Sequence, residues 1–296
     1  MIPKVTFLMT CFNAETYIKA TIDSILAQTY CNFKVLIVEN GSTDLTLSIL
    51  NSFNDPRIEI IELEKNIGRT PALNLGLKHI DSQFVAIHDA DDISCPQRLE
   101  KQVSWMKSHQ ETVLLAGWCK FIDLNDNEIG TYQPPINRSD ILNSMTHCNP
   151  ISHSSVLFRK EAAKRGYPED FIYAQDFALW LSMQKEGEID MLEDFIVKIR
   201  QHPEAVSNNI SYALAKSWDG MRLYEEALKI SGISKLSYKK GLSAIAIEMA
   251  RYGKSKIKTG QFFSGILWLV KAFYKSPRIF FFQKIRNTNF YQGKNQ

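Results

Sequence analysis

Phe-Val-Ala-Ile-His-Asp-Ala-Asp-Asp, residues 84–92, is an apolar run that ends abruptly in three carboxylates. So short an apolar run reads as a strand buried on both faces, as in a parallel sheet. In α/β sheets, ligands bind at the carboxyl ends of such strands. Asp89 and Asp91 are two apart, so on an extended chain they point to the same side. Two hard oxygen ligands there suit Mg²⁺ or Mn²⁺ carrying a substrate phosphate. The plainer reading is that the acids cap the next helix. Asp92 or Ser94 is placed to do so, because Ser94 and Gln97 have capping-box spacing before Pro-Gln-Arg-Leu-Glu-Lys-Gln-Val at 96–103.

Working outward, strand-like runs at 4–10, 33–39, 57–63 and 83–88 alternate with helical patterns at 14–28, 45–53 and 71–80. Such alternation predicts an α/β fold with a doubly wound, mostly parallel, Rossmann-like sheet. Thr43 or Asp44 is expected to cap the second helix. Beyond Glu111 the order is mixed: strands at 112–118, 153–158 and 190–199, with a helix near 175–185. From about Tyr212 the pattern is helical only. The first strand ends at Thr-Cys-Phe-Asn (10–13), the second at Glu-Asn-Gly-Ser-Thr-Asp (39–44) and the fourth at the acid triad, so polar groups gather at one sheet edge. Gly41 permits a tight turn, and Ser42 and Thr43 offer hydroxyls and N–H groups near a helix start. These features point to a nucleotide-diphosphate pocket. The absence of Gly-x-Gly-x-x-Gly and of Gly-x-x-x-x-Gly-Lys-Ser/Thr argues against a dinucleotide site and a P-loop ATPase.

At 296 residues and 45% hydrophobic, the chain can bury a large core. Its five cysteines are scattered and never form Cys-x-x-Cys, which reads as reduced apolar filler in a cytoplasmic protein. The apolar residues 5–9 lack the length and cleavage site of a secretory leader, so none is expected. No segment reaches the roughly 18 apolar residues of a membrane span. Charge is unevenly distributed. Residues 249–296 hold ten Lys/Arg and no Asp or Glu, and removing those ten from the net +3 leaves −7 on the first 248. The same tail carries Phe262, Phe263, Trp268, Phe273, Tyr274 and Ile-Phe-Phe-Phe at 279–282. Aromatics interleaved with cations predict a helix lying on an anionic membrane surface. Nucleic acid is not an expected partner, because Trp268 and the Phe run suit acyl chains better than phosphates. Packing of this helix onto the domain is the competing reading.

Several stretches, in this order, resemble family-2 glycosyltransferases, inverting enzymes of the GT-A fold. They are Val-Thr-Phe-Leu-Met-Thr-Cys-Phe-Asn-Ala-Glu-Thr-Tyr-Ile (5–18), Ser-Ile-Leu-Ala-Gln-Thr-Tyr (24–30), Val-Glu-Asn-Gly-Ser-Thr-Asp (38–44), His-Asp-Ala-Asp-Asp-Ile (88–93) and Arg-Leu-Glu-Lys-Gln (98–102). Asn-Pro-Ile-Ser-His-Ser-Ser-Val-Leu-Phe-Arg (149–159), Ala-Gln-Asp-Phe-Ala-Leu-Trp (174–180) and Arg-Gln-His (200–202) resemble the family's acceptor half. The resemblance implies a catalytic domain over 1–207, with a nucleotide-sugar half at 1–110 and an acceptor half at 111–207. Residues 208–296 are then a helical, basic, membrane-associating appendage. It also implies nucleotide-sugar contacts from Thr10, Asn13, Glu39, Asn40, Arg69, Asp89 and Ala90. Asp91, with Asp89, is implied as ligand to Mn²⁺ or Mg²⁺, Asp176 as the catalytic base, and Arg200 or His202 as a contact to the leaving diphosphate.

The chain departs from the family pattern twice. Gln175 stands where Glu is usual, so Asp176 lacks a like-charged neighbour; Glu39-Asn40 stands where Asp-Asp is commoner. An Asn carbonyl still accepts a pyrimidine imide N–H, so a UDP-sugar is the expected donor, with dTDP- or GDP-sugar the alternative. Trp118, Trp180 and His153 are candidates to line the acceptor site, since sugars stack on aromatic faces, but buried core aromatics are the commoner outcome and they are not taken as site residues. The expected activity is transfer of a hexose or N-acetylhexosamine to a lipid-linked oligosaccharide in lipopolysaccharide, O-antigen or capsule assembly, at the inner face of the membrane. A sugar-nucleotide nucleotidyltransferase is the alternative, but it calls for a Gly-rich basic loop where this chain has Thr-Cys-Phe-Asn-Ala-Glu (10–15). A non-catalytic nucleotide-sugar or membrane module would not need Asp89, Asp91 and Asp176.

Overall fold

The structure is a computed structural model that describes residues 5–171, 173–202 and 213–277. Its elements follow in chain order. The first half runs β1 (Val5–Cys11), α1 (Ile18–Leu26), β2 (Phe33–Glu39), α2 (Thr46–Asn51), β3 (Ile58–Glu62), α3 (Arg69–His79), β4 (Phe84–Ile87), β5 (Ile93–Ser94) and α4 (Arg98–Ser108). There follow β6 (Thr112–Ile122), β7 (Glu128–Tyr132), α5 (Arg138–Met145), β8 (Leu157–Arg159), α6 (Gln175–Met183), β9 (Glu188–Arg200), α7 (Ala213–Ala227), α8 (Lys235–Lys258) and α9 (Phe262–Lys275).

Nine strands form one sheet in the order β3-β2-β1-β4-β8-β6-β9-β5, with β7 paired to β6. The strands β3, β2, β1 and β4 are mutually parallel, whereas β8 runs antiparallel to both β4 and β6. The order is therefore parallel first and mixed afterwards, as the alternation of patterns predicts. β1 and β4 are buried almost throughout because both sheet faces are covered. On one face, Phe7, Met9, Val35, Ile37 and Ala86 pack against Ile18, Ile22 and Ile25 of α1 and Leu99, Val103 and Met106 of α4. Each such side chain contributes about 1.5–3 kcal/mol through removal from water. Cys11 and Cys119 are buried within the fold, and burial pushes the Cys119 thiol up to about 12, in keeping with apolar filler.

Three local expectations are corrected. The helix expected from residue 14 begins at Ile18, because the N–H groups of Ala14 and Glu15 are taken by Thr46 Oγ1 (2.7 Å) and Asp44 Oδ2 (3.1 Å). The Ser94–Gln97 capping box does not form: Ser94 lies in β5, and Gln97, the N-cap of α4, makes no side-chain cap bond. The strand expected at 153–158 begins as a 3-10 turn at His153–Ser155, closed by Ser155 N–H donating to Ser152 O, and only Leu157–Arg159 is strand. Residues 130–139 contain the end of β7 and the start of α5, whose N-cap Asn137 accepts from the Ser139 N–H at 2.9 Å.

The chain divides into two compact units. The first comprises Met1–Ile136, Ile151–Glu169 and Ser182–His202 and holds the whole sheet; the second comprises Asn137–Pro150, Asp170–Leu181 and Pro203–Gln296. Segments 137–150 and 170–181, expected in the acceptor half of one catalytic domain, thus cluster with the C-terminal helices. The expected boundary at residue 207 and the run 279–282 lie outside the described residues.

Candidate active site

In the first unit the site is built on the carboxyl ends of β1, β2 and β4. After β2 the chain turns so tightly that Gly41 adopts φ +72°, and a Cβ there would lie 2.4 Å from the carbonyl carbon of Lys65. Glu39 secures that turn: its carboxylate accepts from the N–H groups of Gly41 (3.2 Å) and Ser42 (2.7 Å). Asn40 secures the next loop, accepting from Ile67 N–H (3.0 Å) and donating to Asn66 Oδ1 (3.2 Å) and Gly68 O (3.3 Å). Both side chains are buried, so an imide contact from Asn40 would have to share an oxygen that Ile67 already uses. Asn13, at φ +50°, accepts from Thr43 N–H (2.9 Å) and donates its own N–H to Ser42 Oγ (3.0 Å). The N–H groups of Ser42 and Thr43, expected to face a phosphate, are therefore held by Glu39 and Asn13. Thr10 is half-buried opposite Val38, and the Ala90 carbonyl accepts from Thr21 Oγ1 at 3.0 Å.

The three acids diverge. Asp89 turns to Arg69, the first residue of α3, with 2.5 Å between Oδ1 and the guanidinium. His153 Nδ1 lies 3.0 Å from the same oxygen, and its Nε2 lies 3.0 Å from the Tyr167 hydroxyl. Burial raises the Asp89 carboxyl, but Arg69 and His153 outweigh burial and hold it well below the usual carboxylate range. Asp92 is buried and accepts from the Arg200 N–H at 3.0 Å; burial, with Asp91 and Asp89 nearby, raises its carboxyl. Asp91 keeps 31% of its side chain exposed, and His202 Nε2 lies 2.9 Å from its Oδ2. Of the two residues expected at the diphosphate, only the His202 side chain reaches a carboxylate of the Asp89–Asp92 triad. Arg200 is withdrawn, its side chain 3% exposed. Its guanidinium donates to Asp91 O (3.0 Å) and Asp123 O (3.1 Å), pairs with Asp126 (2.6 Å) and lies over the Tyr17 ring at 5.0 Å.

Beneath the acids, Arg98 is fully buried and donates to Ile87 O (2.9 Å) and Val156 O (3.0 Å), fixing the end of β4. His88 is buried beside it. Burial, then the Arg98 charge, lowers the imidazole to about 3, so it is neutral at physiological pH. The sequence reading missed the parts of His153, Tyr167 and Arg98. His153 and Arg98 lie in stretches that carry the family resemblance, but Tyr167 has no signal short of the tertiary contact.

Among the described residues no cluster of three or more metal-ligating side chains occurs. The Asp91 carboxylate, with the His202 imidazole 2.9 Å from its Oδ2, nonetheless fits a small divalent cation. Mg²⁺ and Mn²⁺ are held by as little as one or two carboxylates, with water and substrate phosphates filling the other positions.

In the second unit, Asp176 stands in the first turn of α6, half-buried, and its Oδ2 accepts from Asn149 Nδ2 at 3.1 Å. Gln175 beside it is buried, and its Oε1 has no hydrogen-bond partner among the described residues. Trp180 is fully buried, and in the first unit Trp118 donates to Pro134 O at 3.1 Å. Trp180 is thus a core side chain, Trp118 is half-buried, and His153 is largely buried but contacts Asp89.

Comparison with solved structures defines the class. Staphylococcus aureus TarS, residues 1–349, solved with UDP-GlcNAc, superposes with a TM-score of 0.67 at 19% identity, covering 91% of this chain and 79% of that one. The Pyrobaculum calidifontis mannosyltransferase solved with GDP-Man and Mn²⁺ gives 0.60 at 18% identity, covering 95% and 83%. The fold is GT-A. In sequence, the glycosyl transferase family 2 model matches residues 6–178, more than half of the chain, and the protein belongs to that family. An Escherichia coli UDP-Glc:alpha-D-GlcNAc-diphosphoundecaprenol beta-1,3-glucosyltransferase is 30% identical over 73% of this chain and 84% of its own length. The Erwinia amylovora amylovoran biosynthesis glycosyltransferase is 30% identical over 76% and 86%.

Proposed function

We infer that the protein is an inverting glycosyltransferase that moves a hexose or N-acetylhexosamine from a UDP-sugar to a lipid-linked saccharide during surface-polysaccharide assembly. The observation that carries this reading is the partly exposed Asp91 carboxylate beyond the carboxyl end of β4 with His202 Nε2 at 2.9 Å. It is the member of the acid triad left with a small divalent cation's ligand chemistry. Arg69 pairs with one Asp89 oxygen, on which His153 Nδ1 also lies, which leaves the second oxygen for the donor. Bound Mn²⁺ or Mg²⁺ would supply Lewis-acid stabilisation of the departing diphosphate. Arg200 acts indirectly, fixing the backbone of Asp91.

Inversion needs one base on the face opposite the leaving group. We assign that part to Asp176, whose Asn149 bond holds the carboxylate in one orientation. Gln175 cannot titrate, so the base works without an acidic neighbour. A UDP donor and an undecaprenyl-linked acceptor are supported by the 30%-identical Escherichia coli relative, whose name specifies both. Such an acceptor exists only at a membrane, so we place the enzyme on the cytoplasmic face, attached peripherally. No described helix is long and apolar enough to cross a bilayer.

Calorimetric titration of UDP with and without Mn²⁺ tests the site. Tight, Mn²⁺-dependent binding is expected, lost in Asp91→Asn and kept in Asp176→Asn, while transfer by Asp176→Asn falls by about 10²–10⁴-fold. Metal-independent binding of UDP, or full transfer by Asp176→Asn, would refute the assignment.

A further inference from the structure

Helix α9 packs against α8 through an unusually close backbone approach. A Cβ on Gly253 would lie 2.7 Å from Gly265 O, and one on Gly265 would lie 2.6 Å from Gly253 O. Gly265 and Ala272 are the buried residues of α9. The opposite side is exposed among the described residues. Phe262, Phe263, Ile266, Leu267 and Val270 are exposed, Phe263 at 88%, and the face continues through Phe273 and Tyr274 at 39% and 79%. At 3.6 residues per turn these positions fall in one arc of about 140° with no polar residue inside it. Lys271 lies at the edge of the arc, its ammonium 4.6 Å from the Trp268 ring centre. Trp268 in turn packs edge-on against Trp218 (6.0 Å) and Tyr252 (5.1 Å), and Lys256 lies over Tyr252.

We propose that this arc of α9 is the surface by which the protein docks on an anionic lipid bilayer, the helix lying in the interface plane with Phe263 and Leu267 among the acyl chains. The inference rests on the membrane-bound acceptor proposed above and names the surface that meets it. Charge selects the occupant. Residues 249–296 hold ten cations and no anion, so a second copy presented here would meet like charge, whereas anionic headgroups complement it. The chain's own residues 278–296 carry cations and no anion as well. Aromatic rings with lysines folded across them suit the headgroup layer, where one end of the side chain is apolar and the other wet. At 14 residues α9 is about 21 Å long, short of the roughly 30 Å hydrocarbon core, so it lies on the bilayer and does not span it.

Co-sedimentation of the full-length protein with vesicles tests this, without donor or acceptor. Vesicles of phosphatidylglycerol and phosphatidylcholine in equal parts should bind it strongly, and phosphatidylcholine alone weakly. Phe263→Ser with Leu267→Ser should lower the partition coefficient about tenfold or more, since both contribute exposed apolar area. Leu124→Ser, an equally exposed apolar position in the β6–β7 turn, should leave it unchanged. Absence of binding by the native chain, equal binding to both vesicle types, or an unaltered double variant would overturn the proposal. So would a lipid-free dimer that the double variant converts to monomer. UDP binding on the same preparations reports the glycosyltransferase site separately, so either reading can fail alone.

Discussion

One buried imidazole should make a separable contribution to acid sensitivity, opposite in sign to that of the raised Asp92 carboxyl. His88 follows β4 directly, is 1% exposed, and packs edge-on against Phe7 with ring centres 6.1 Å apart. Its Nδ1 lies 2.8 Å from Asp89 O, and no hydrogen-bond partner for Nε2 occurs among the described residues. Burial and Arg98 lower its pKa from 6.5 to about 3. The folded state therefore refuses a proton that the unfolded chain accepts below about 6.5, and stability must fall as pH drops through that window. One differential proton is worth about 1.4 kcal/mol per pH unit, so acidification from about pH 7 to about pH 5 should remove about 2 kcal/mol through His88 alone. The depressed Asp89 acts in the same direction at lower pH, its stabilisation being present above the unfolded carboxylate range and lost as pH falls towards its folded value. Urea unfolding of the native chain and of His88→Asn across this range separates the two. The variant is expected to be less stable near neutrality, because it leaves a cavity, but to lose about 2 kcal/mol less on acidification. Parallel stability curves would show that His88 titrates normally, and the argument from burial would fail.

Two further outcomes follow from the geometry. Arg200→Met removes a buried cation that secures Asp91 O, Asp123 O and Asp126, and should cost about 3 kcal/mol of stability in urea unfolding, with UDP affinity of the folded protein within a few-fold of native. A selective loss of UDP affinity at unchanged stability would instead put Arg200 at the diphosphate. Gly41→Ala forces a Cβ into Lys65 at positive φ and should destabilise by about 1–3 kcal/mol while weakening UDP binding. An unchanged melting temperature would mean that the 39–42 turn is freer than described.

The sheet and its acid edge were legible because periodicity and strand ends are local properties. Apolar runs bounded by polar residues defined β1–β4 to within a residue or two, and Asp89 and Asp91 stood out as oxygen ligands two apart on an extended chain. The resemblance added the family. What the sequence could not supply was the partner of each side chain. Ser94 and Gln97 have capping spacing, yet Ser94 pairs in β5, because a strand far along the chain, β9, offers it a ladder. Arg200 and His202 are two residues apart and equally eligible for a phosphate; the fold buries one guanidinium over Tyr17 and sets one imidazole against Asp91. His153 is not taken as a site residue from the sequence; the 3-10 turn brings it to Asp89, 64 residues away in sequence. Composition likewise announced a basic, aromatic C-terminal region, but only the packing of Gly253 against Gly265 decides which side of α9 faces outward. Local pattern determines which elements form; burial and hydrogen-bond satisfaction between distant segments determine which way each functional group points.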